Sequence, residues 1–466
     1  MWGVAWAGAP APKNGTQAIN LGMVISGGVS LGAYEAGYNW ALVRMLAAIR
    51  QQGILEASPS LRAVAGASAG SINALLSAVY WCQDPEKGED NSVEKNLFYE
   101  TWVNLGLEDL LVPPDDTRNR STLFSRRVLK KKARKIVRHL RRPLYREGCE
   151  VGLGFSVTKV EPIVVDTYQK IAIENQAFSI PLTLRSVDGR LRFESRRIRK
   201  LSDLYTLEIP GIEKHPEKIS EILFASSAFP GAFTQVKLRY RFRGKEGEGY
   251  FIDGGVYNNT PLDLAIALDK RTSLFLFLDP NNMRKHRKER TSPRKERPPV
   301  GFLSANLTPL ANAAEIYQKI FLYQAINRYF RGERGRRLLL SSRFHPLTAG
   351  FLEHFGAFLD RNFRLYDYHV GVYDAIHQLS EALRKKKPFR GMKQTELMDR
   401  LARHLGIDRN REARTAYRFF KATEYGGKVA RDNRYAAIYY AFRKGVGEEE
   451  RYSAENFKYG SRLAEC

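Results

Sequence analysis

Residues 62–81 carry the feature that most limits how this chain can fold. An apolar run, Ala63 to Ala65, stops at Gly66. Ser68 then stands between Gly66 and Gly70, and a helix-like run follows from Ser71. This is G-x-S-x-G between a strand and a helix, a sharp turn that lifts a serine hydroxyl above the end of a sheet. Glycine accepts the backbone angles that so tight a turn demands. The helix start behind the serine also offers free backbone N–H groups to negative charge. The same spacing also fits a small-residue turn that merely lets helix and sheet pack closely, so neighbouring segments must decide.

A first β–α unit precedes the elbow. Residues 21–26 read as a buried strand, Gly27-Gly28-Val29-Ser30-Leu31-Gly32 as a turn, and Ala33 to Arg50 as a helix. Such a turn can aim several N–H groups at a phosphate or an oxyanion. It is not G-x-G-x-x-G and lacks the Lys-Ser/Thr of a P-loop, which weighs against a nucleotide. A helix–sheet packing turn is the plainer alternative.

Further along, residues 92–111 read as helical. Residues 117–146 are basic, with Leu129, Ala133, Ile136, Val137 and Leu140 at helical spacing on one face. That pattern suits a helix lying on an anionic membrane surface, or one docked on the domain with a solvated charged face. Phe155–Val165 and Ile180–Glu194 alternate as strands, with Asp188-Gly189 as a hairpin turn. Residues 219–233 read as a small-residue helix ending at Pro230. Val236–Arg243 alternates and Gly244–Gly249 turns. Tyr250-Phe251-Ile252 then leads into Asp253-Gly254-Gly255, an acid and two glycines at a strand end. Leu274–Leu278 is another buried strand, and 284–299 is a basic, Pro-ended loop. Helical patterns cover 310–331 and 349–385, with a strand at Arg337–Ser341 between them. The expected organisation is a loose segment over 1–20, a main domain over 21–385, and a helical, charged segment over 386–466.

Composition narrows the class. A chain of 466 residues with 43% hydrophobic content can bury a sizeable core. A net charge of +25 favours anionic partners, and no nucleic-acid module is present by motif. The cysteines, Cys82, Cys149 and Cys466, are scattered and odd in number, so neither a zinc site nor a disulfide framework is expected. No apolar stretch approaches the length of a transmembrane helix. The first ten residues make a poor signal peptide, which leaves the compartment open.

Taken in order, these segments resemble the patatin-like phospholipases. Gly27 to Tyr34 resembles that family's glycine-rich oxyanion loop, and Gly66-Ala67-Ser68-Ala69-Gly70, followed by Asn73, resembles its nucleophile elbow. Ala225-Ser226-Ser227-Ala228-Phe229-Pro230 is similar to its Ala-Ser-x-Ala-x-Pro element. Asp253-Gly254-Gly255-Val256-Tyr257-Asn258-Asn259-Thr260-Pro261 is similar to its Asp-Gly-Gly block. Two positions depart from the pattern: Val29 stands at the usual third glycine, and Leu31 at the usual Arg or Lys.

The resemblance spans roughly 21–280. It implies a three-layer α/β/α fold with a Ser–Asp dyad, plus a helical C-terminal segment. It implies that Ser68 attacks an acyl ester and Asp253 moves the proton, while backbone N–H groups near Gly27, Gly28 and Val29 hold the oxyanion. It implies no metal or organic cofactor, and a lipid substrate. Gly66, Gly70, Gly254 and Gly255 support the motifs. The aromatic stretch 302–330 (Phe302, Tyr317, Phe321, Tyr323, Tyr329, Phe330) is expected either to line an apolar cleft or to pack in the core.

Two other readings compete. One is a Ser-His-Asp hydrolase, for which His369 is the most plausible of eight histidines. The other is a non-catalytic lipid- or nucleic-acid-binding protein on the same fold.

Overall fold

In the computed structural model, the described residues are 17–87, 91–111, 122–198, 204–280, 316–320, 322–331, 336–350, 355–427 and 433–445. The expected basic loop at 284–299 lies outside them, as do Phe302, Phe321 and the chain beyond 445.

A sheet of nine strands organises the molecule. Its main path runs β5 (Arg190–Ser195), β4 (Ile171–Val187), β3 (Glu150–Tyr168), β2 (Ala57–Gly66), β1 (Gln17–Ile25), β8 (Leu274–Leu278) and β9 (Arg337–Leu340). Strands β3, β2, β1, β8 and β9 are mutually parallel, and β4 and β5 continue antiparallel. Strand β7 (Lys245–Asp253) pairs with β3 and with β6 (Val236–Phe242).

Alternation along β1 shows why the sheet carries helices on both faces. Leu21, Met23 and Ile25 enter a large core that includes α1 (Gly32–Gln51), α2 (Ala69–Cys82) and α9 (Arg361–Arg384). Val24 points the other way, into a smaller core with α7 (Leu262–Leu268). Residues 316–320 and 322–326 form a helix, α8, on that second side, with Leu322, Ala325 and Ile326 packed on the smaller core.

Helices α1 and α9 cross with their backbones in contact. A Cβ at Gly37 would lie 1.9 Å from the Tyr368 carbonyl oxygen, and one at Gly371 would lie 2.0 Å from that of Tyr34. Only glycine permits so close an approach.

Several expectations are revised. The hairpin turn between β6 and β7 sits at Arg243-Gly244 and is shorter than the 244–249 expected. Residues 92–111 form two short helices, α3 (Leu97–Trp102) and α4 (Leu107–Leu110). Of the two readings of the basic stretch, the structure shows the docked one: it is helical as α5 (Arg127–Leu140), with Ile136, Val137 and Leu140 buried in the main core. Its apolar stripe is thus used inside the protein, and Lys130, Lys131, Arg134 and Arg138 remain exposed. Cys82 and Cys149 form a disulfide, contrary to the expectation from their spacing. The sheet brings the end of α2 beside the start of β3, a neighbourhood that cysteine counting does not reveal. Helices α10 (Gln394–His404) and α11 (Arg411–Tyr425) contribute Leu397, Leu401, Phe419 and Phe420 to the main core.

Candidate active site

The site lies at the ends of β1, β2 and β7. Ser68 terminates the β2 turn with φ 51° and ψ −128°. That region is poorly populated for a non-glycine residue and marks local strain. The strain is held by packing. A Cβ at Gly66 would lie 2.3 Å from the Gly70 carbonyl oxygen, and one at Gly70 would lie 2.5 Å from the carbonyl oxygens of Ile25 and Ser26. The Ser68 side chain does not cap the helix it precedes. Its hydroxyl instead donates to Asp253 Oδ2 at 2.6 Å.

Asp253 ends β7, opposite Val157 of β3. Its amide donates to the Ala228 carbonyl at 3.0 Å, so the Ala225–Pro230 element anchors it directly. Its Oδ1 accepts from the Gly255 amide at 2.7 Å. A Cβ at Gly254 would lie 2.0 Å from the Ser156 carbonyl oxygen, which fixes the turn against β3. Burial raises the Asp253 carboxyl to about 7, against the lowering effect of the hydrogen bonds from Ser68 and Gly255. Near neutral pH it therefore exchanges a proton readily beside a buried hydroxyl.

The glycine loop is only partly as expected. The Gly27 amide is already engaged, donating to Asn259 Oδ1 at 3.0 Å and reaching the Asn259 carbonyl at 3.3 Å. It is not a free oxyanion donor. The amides of Gly28 and Val29 have no acceptor among the described residues. At the start of α2 the Ser71 amide is taken by the Ser68 carbonyl at 3.0 Å, whereas the Ala69 and Gly70 amides are open by helix geometry. Val29 adopts φ 50°, the left-handed region that the family's usual glycine suits and a β-branched residue does not. Leu31, where a cation was the family norm, is buried in the main core.

Asn259 and Asn73 lie within the recognised motifs, but their contacts were not legible there, and Glu35 and Trp102 were not singled out at all. Asn259 Nδ2 donates to the Gly27 carbonyl at 3.2 Å, so this side chain grips both polar groups of one glycine. Glu35 on α1 is fully buried and accepts from Asn73 Nδ2 at 2.9 Å. Asn73 in turn accepts from Trp102 Nε1 at 2.9 Å and donates to the Gly32 carbonyl at 3.3 Å. Burial raises Glu35 to about 8; the Asn73 hydrogen bond opposes this and nearby Asp279 adds to it. This network ties the serine's helix to the glycine loop's helix. Asn73 belongs to the elbow motif; for Glu35 the sequence signal was an acid on the inner face of an apolar helix.

The triad reading loses its candidate. His369 is buried in α9 with Nε2 3.6 Å from Glu94 Oε1. Among the described residues, no histidine hydrogen-bonds Ser68 or Asp253. Beside the pair, rather than over it, lies a cavity of about 420 Å³ whose wall includes Gly254, Tyr257, Tyr317 and Tyr329. Of the aromatics expected either to line a cleft or to pack in the core, Tyr317 and Tyr329 line this cavity, Phe330 packs edge-on against Phe275, and Tyr323 is exposed.

Fold and site together define a class: an α/β protein with a central sheet flanked by helices, a strained serine on an elbow, and a buried carboxylate against it. A family model described as Patatin-like phospholipase matches residues 23–266, more than half of the chain. The chain belongs to the patatin-like phospholipase family, and its general activity is that of a lipid hydrolase. Comparison with curated proteins found no match.

Proposed function

We propose that this chain is a serine acyl hydrolase of the phospholipase A or lysophospholipase type, working through a Ser68–Asp253 dyad. Ser68 Oγ attacks the ester carbonyl carbon while Asp253 Oδ2 takes its proton. The amides of Gly28, Val29 and Ala69 stabilise the resulting oxyanion, each donor contributing on the order of a few kcal/mol. The alkoxide of the lysolipid or alcohol departs with the proton returned by Asp253, leaving an acyl-serine. Asp253 then accepts a proton from water, which attacks the acyl carbon and releases the fatty acid and free Ser68.

The observation that carries this reading is the 2.6 Å bond between two buried side chains, one of them strained. Wild type should release p-nitrophenol from a short-chain ester, and Ser68→Ala should not. Equal turnover by both would end the proposal.

The partner is a lipid surface. The exposed cations of α5 favour contact with anionic head groups, and no apolar insertion of that helix is needed. A second contribution comes from the β3–β4 hairpin, where Tyr168 and Ile171 are paired across the strands and are 67% and 66% exposed. Tyrosine and isoleucine in that setting suit the membrane–water interface. Binding to vesicles should weaken with salt and with loss of anionic lipid; indifference to both would remove α5 from the contact.

A further inference from the structure

The cavity beside the Ser68–Asp253 pair has a chemistry of its own. One wall is Gly254, a single residue from Asp253, and the loop that follows supplies Tyr257. Its volume of about 420 Å³ falls within the range of small-molecule sites. Four tyrosines face it, Tyr205, Tyr257, Tyr317 and Tyr329, together with the carboxylates of Glu174 and Asp263. Among the described residues of the lining, Arg328 is the only cationic one.

That balance runs against the rest of the chain, in which 75 Lys and Arg outnumber 50 Asp and Glu. A site meant for an anionic end group would be expected to follow the general excess of positive charge. Here carboxylates outnumber cations two to one, among aromatic rings. Aromatic faces attract cations through their quadrupole, and tyrosine cages are a common solution for quaternary ammonium groups, which cannot donate hydrogen bonds. Arg328, in the same lining, suits the phosphate that precedes such a group in a zwitterionic lipid. The Tyr257 hydroxyl donates to Gln176 Oε1 at 2.7 Å, which fixes one ring at the cavity's edge.

We propose that this cavity receives a zwitterionic lipid head group ending in an ammonium cation, with phosphocholine as the type. The inference rests on the acyl-hydrolase reading for its relevance, since the head group would lie beside the ester carried to Ser68. Glu174 is the best probe of it. It sits on β4 opposite Val164, is exposed, and has no ion-pair partner among the described residues.

The test uses the full chain carrying Ser68→Ala, titrated calorimetrically with soluble phosphocholine, glycerol phosphate and a methyl galactoside. Phosphocholine should bind at least tenfold more tightly than either of the others. Adding Glu174→Lys should weaken phosphocholine at least tenfold and strengthen glycerol phosphate. Tyr257→Leu should weaken phosphocholine with an unchanged circular-dichroism spectrum. A vesicle arm separates a lipid head group from the free small molecule: from vesicles that contain both lipids in equal amounts, so that surface binding is common to the two, the otherwise wild-type enzyme should release fatty acid faster from phosphatidylcholine than from phosphatidylglycerol, and Glu174→Lys should reverse that order. Tighter binding of glycerol phosphate or the galactoside, or head-group preference untouched by Glu174→Lys, overturns the proposal. A p-nitrophenyl ester assay on the parent chain reports on the dyad alone, so failure there is distinguishable from failure of the head-group site.

Discussion

Asn259 holds Gly27 by both of its backbone polar groups. Its Oδ1 accepts from the amide at 3.0 Å and its Nδ2 donates to the carbonyl at 3.2 Å. The clamp joins the strand end that carries the glycine loop to the loop that follows Asp253. It fixes the distance between the two halves of the site without touching either reacting atom.

Removing the clamp should therefore cost rate more than fold. Asn259→Ala is expected to lower kcat/KM for a short-chain ester by 10- to 100-fold, since misplacement by about an ångström has that effect. Stability should fall by about 1–3 kcal/mol, chiefly for the Gly27 carbonyl left unsatisfied, since the amide keeps the Asn259 main-chain carbonyl within reach. Turnover assays beside urea melts separate the two. Unchanged kcat/KM would show that Gly27 keeps its place unaided.

In the proposed dyad, the carboxyl of Asp253, raised to about 7, should set the pH dependence. It acts as a base only when ionised, so kcat/KM should rise as pH increases through about 7 and level off above it. Asp253→Asn should lose about a thousandfold or more and abolish that limb. A profile already flat at pH 5 would contradict the assignment.

Val29 offers a test of strain. A non-glycine residue at φ 50° costs about 1–3 kcal/mol, whereas glycine there carries an entropic penalty of about 0.5–1 kcal/mol and forfeits some packing. Val29→Gly should leave stability unchanged or raise it by about 1 kcal/mol. A clear loss in thermal melting would mean that side-chain packing at Val29 outweighs its backbone angle.

Glu35 should make the fold pH-sensitive. Its folded-state value of about 8 lies above the ordinary 4.5. Its stabilising contribution is thus complete below pH 4.5 and is lost as pH rises through about 8. Glu35→Gln keeps an acceptor for Asn73 and removes the titration. The fall in Tm between pH 6 and 9 should be smaller in the variant than in wild type; parallel curves would refute this.

Reduction should weaken the fold. The Cys82–Cys149 bridge closes a separation of 67 residues, for which loop-closure entropy gives about 4 kcal/mol. Replacing both cysteines by serine should shift the urea midpoint accordingly, and non-reducing peptide mapping should recover the linked pair.

What the sequence made legible was local. The apolar run Leu274–Leu278 is a strand over those same residues, because five successive large apolar residues suit a strand covered on both faces. The Asp188-Gly189 turn was readable because both residues must take positive φ, at 54° and 68°. What was hidden depends on contacts across the chain. The use of the Gly27 amide is decided 232 residues away by Asn259. The disulfide follows from where β3 joins the sheet. The helical pattern of α5 was plain, but an amphipathic period does not say whether its apolar stripe meets lipid or protein. Here it meets protein.

The crossing of α1 and α9 separates two kinds of boundary. The family match ends at residue 266, yet Gly371 lies flush against the main chain of α1 about a hundred positions later. A polypeptide shortened to the recognisable motifs would keep Ser68, Asp253 and Asn259 and lose the buttress behind them. The smallest autonomous version of this enzyme must therefore extend at least through Arg384. Domain engineering or chimera design should place its junctions by that inner seam.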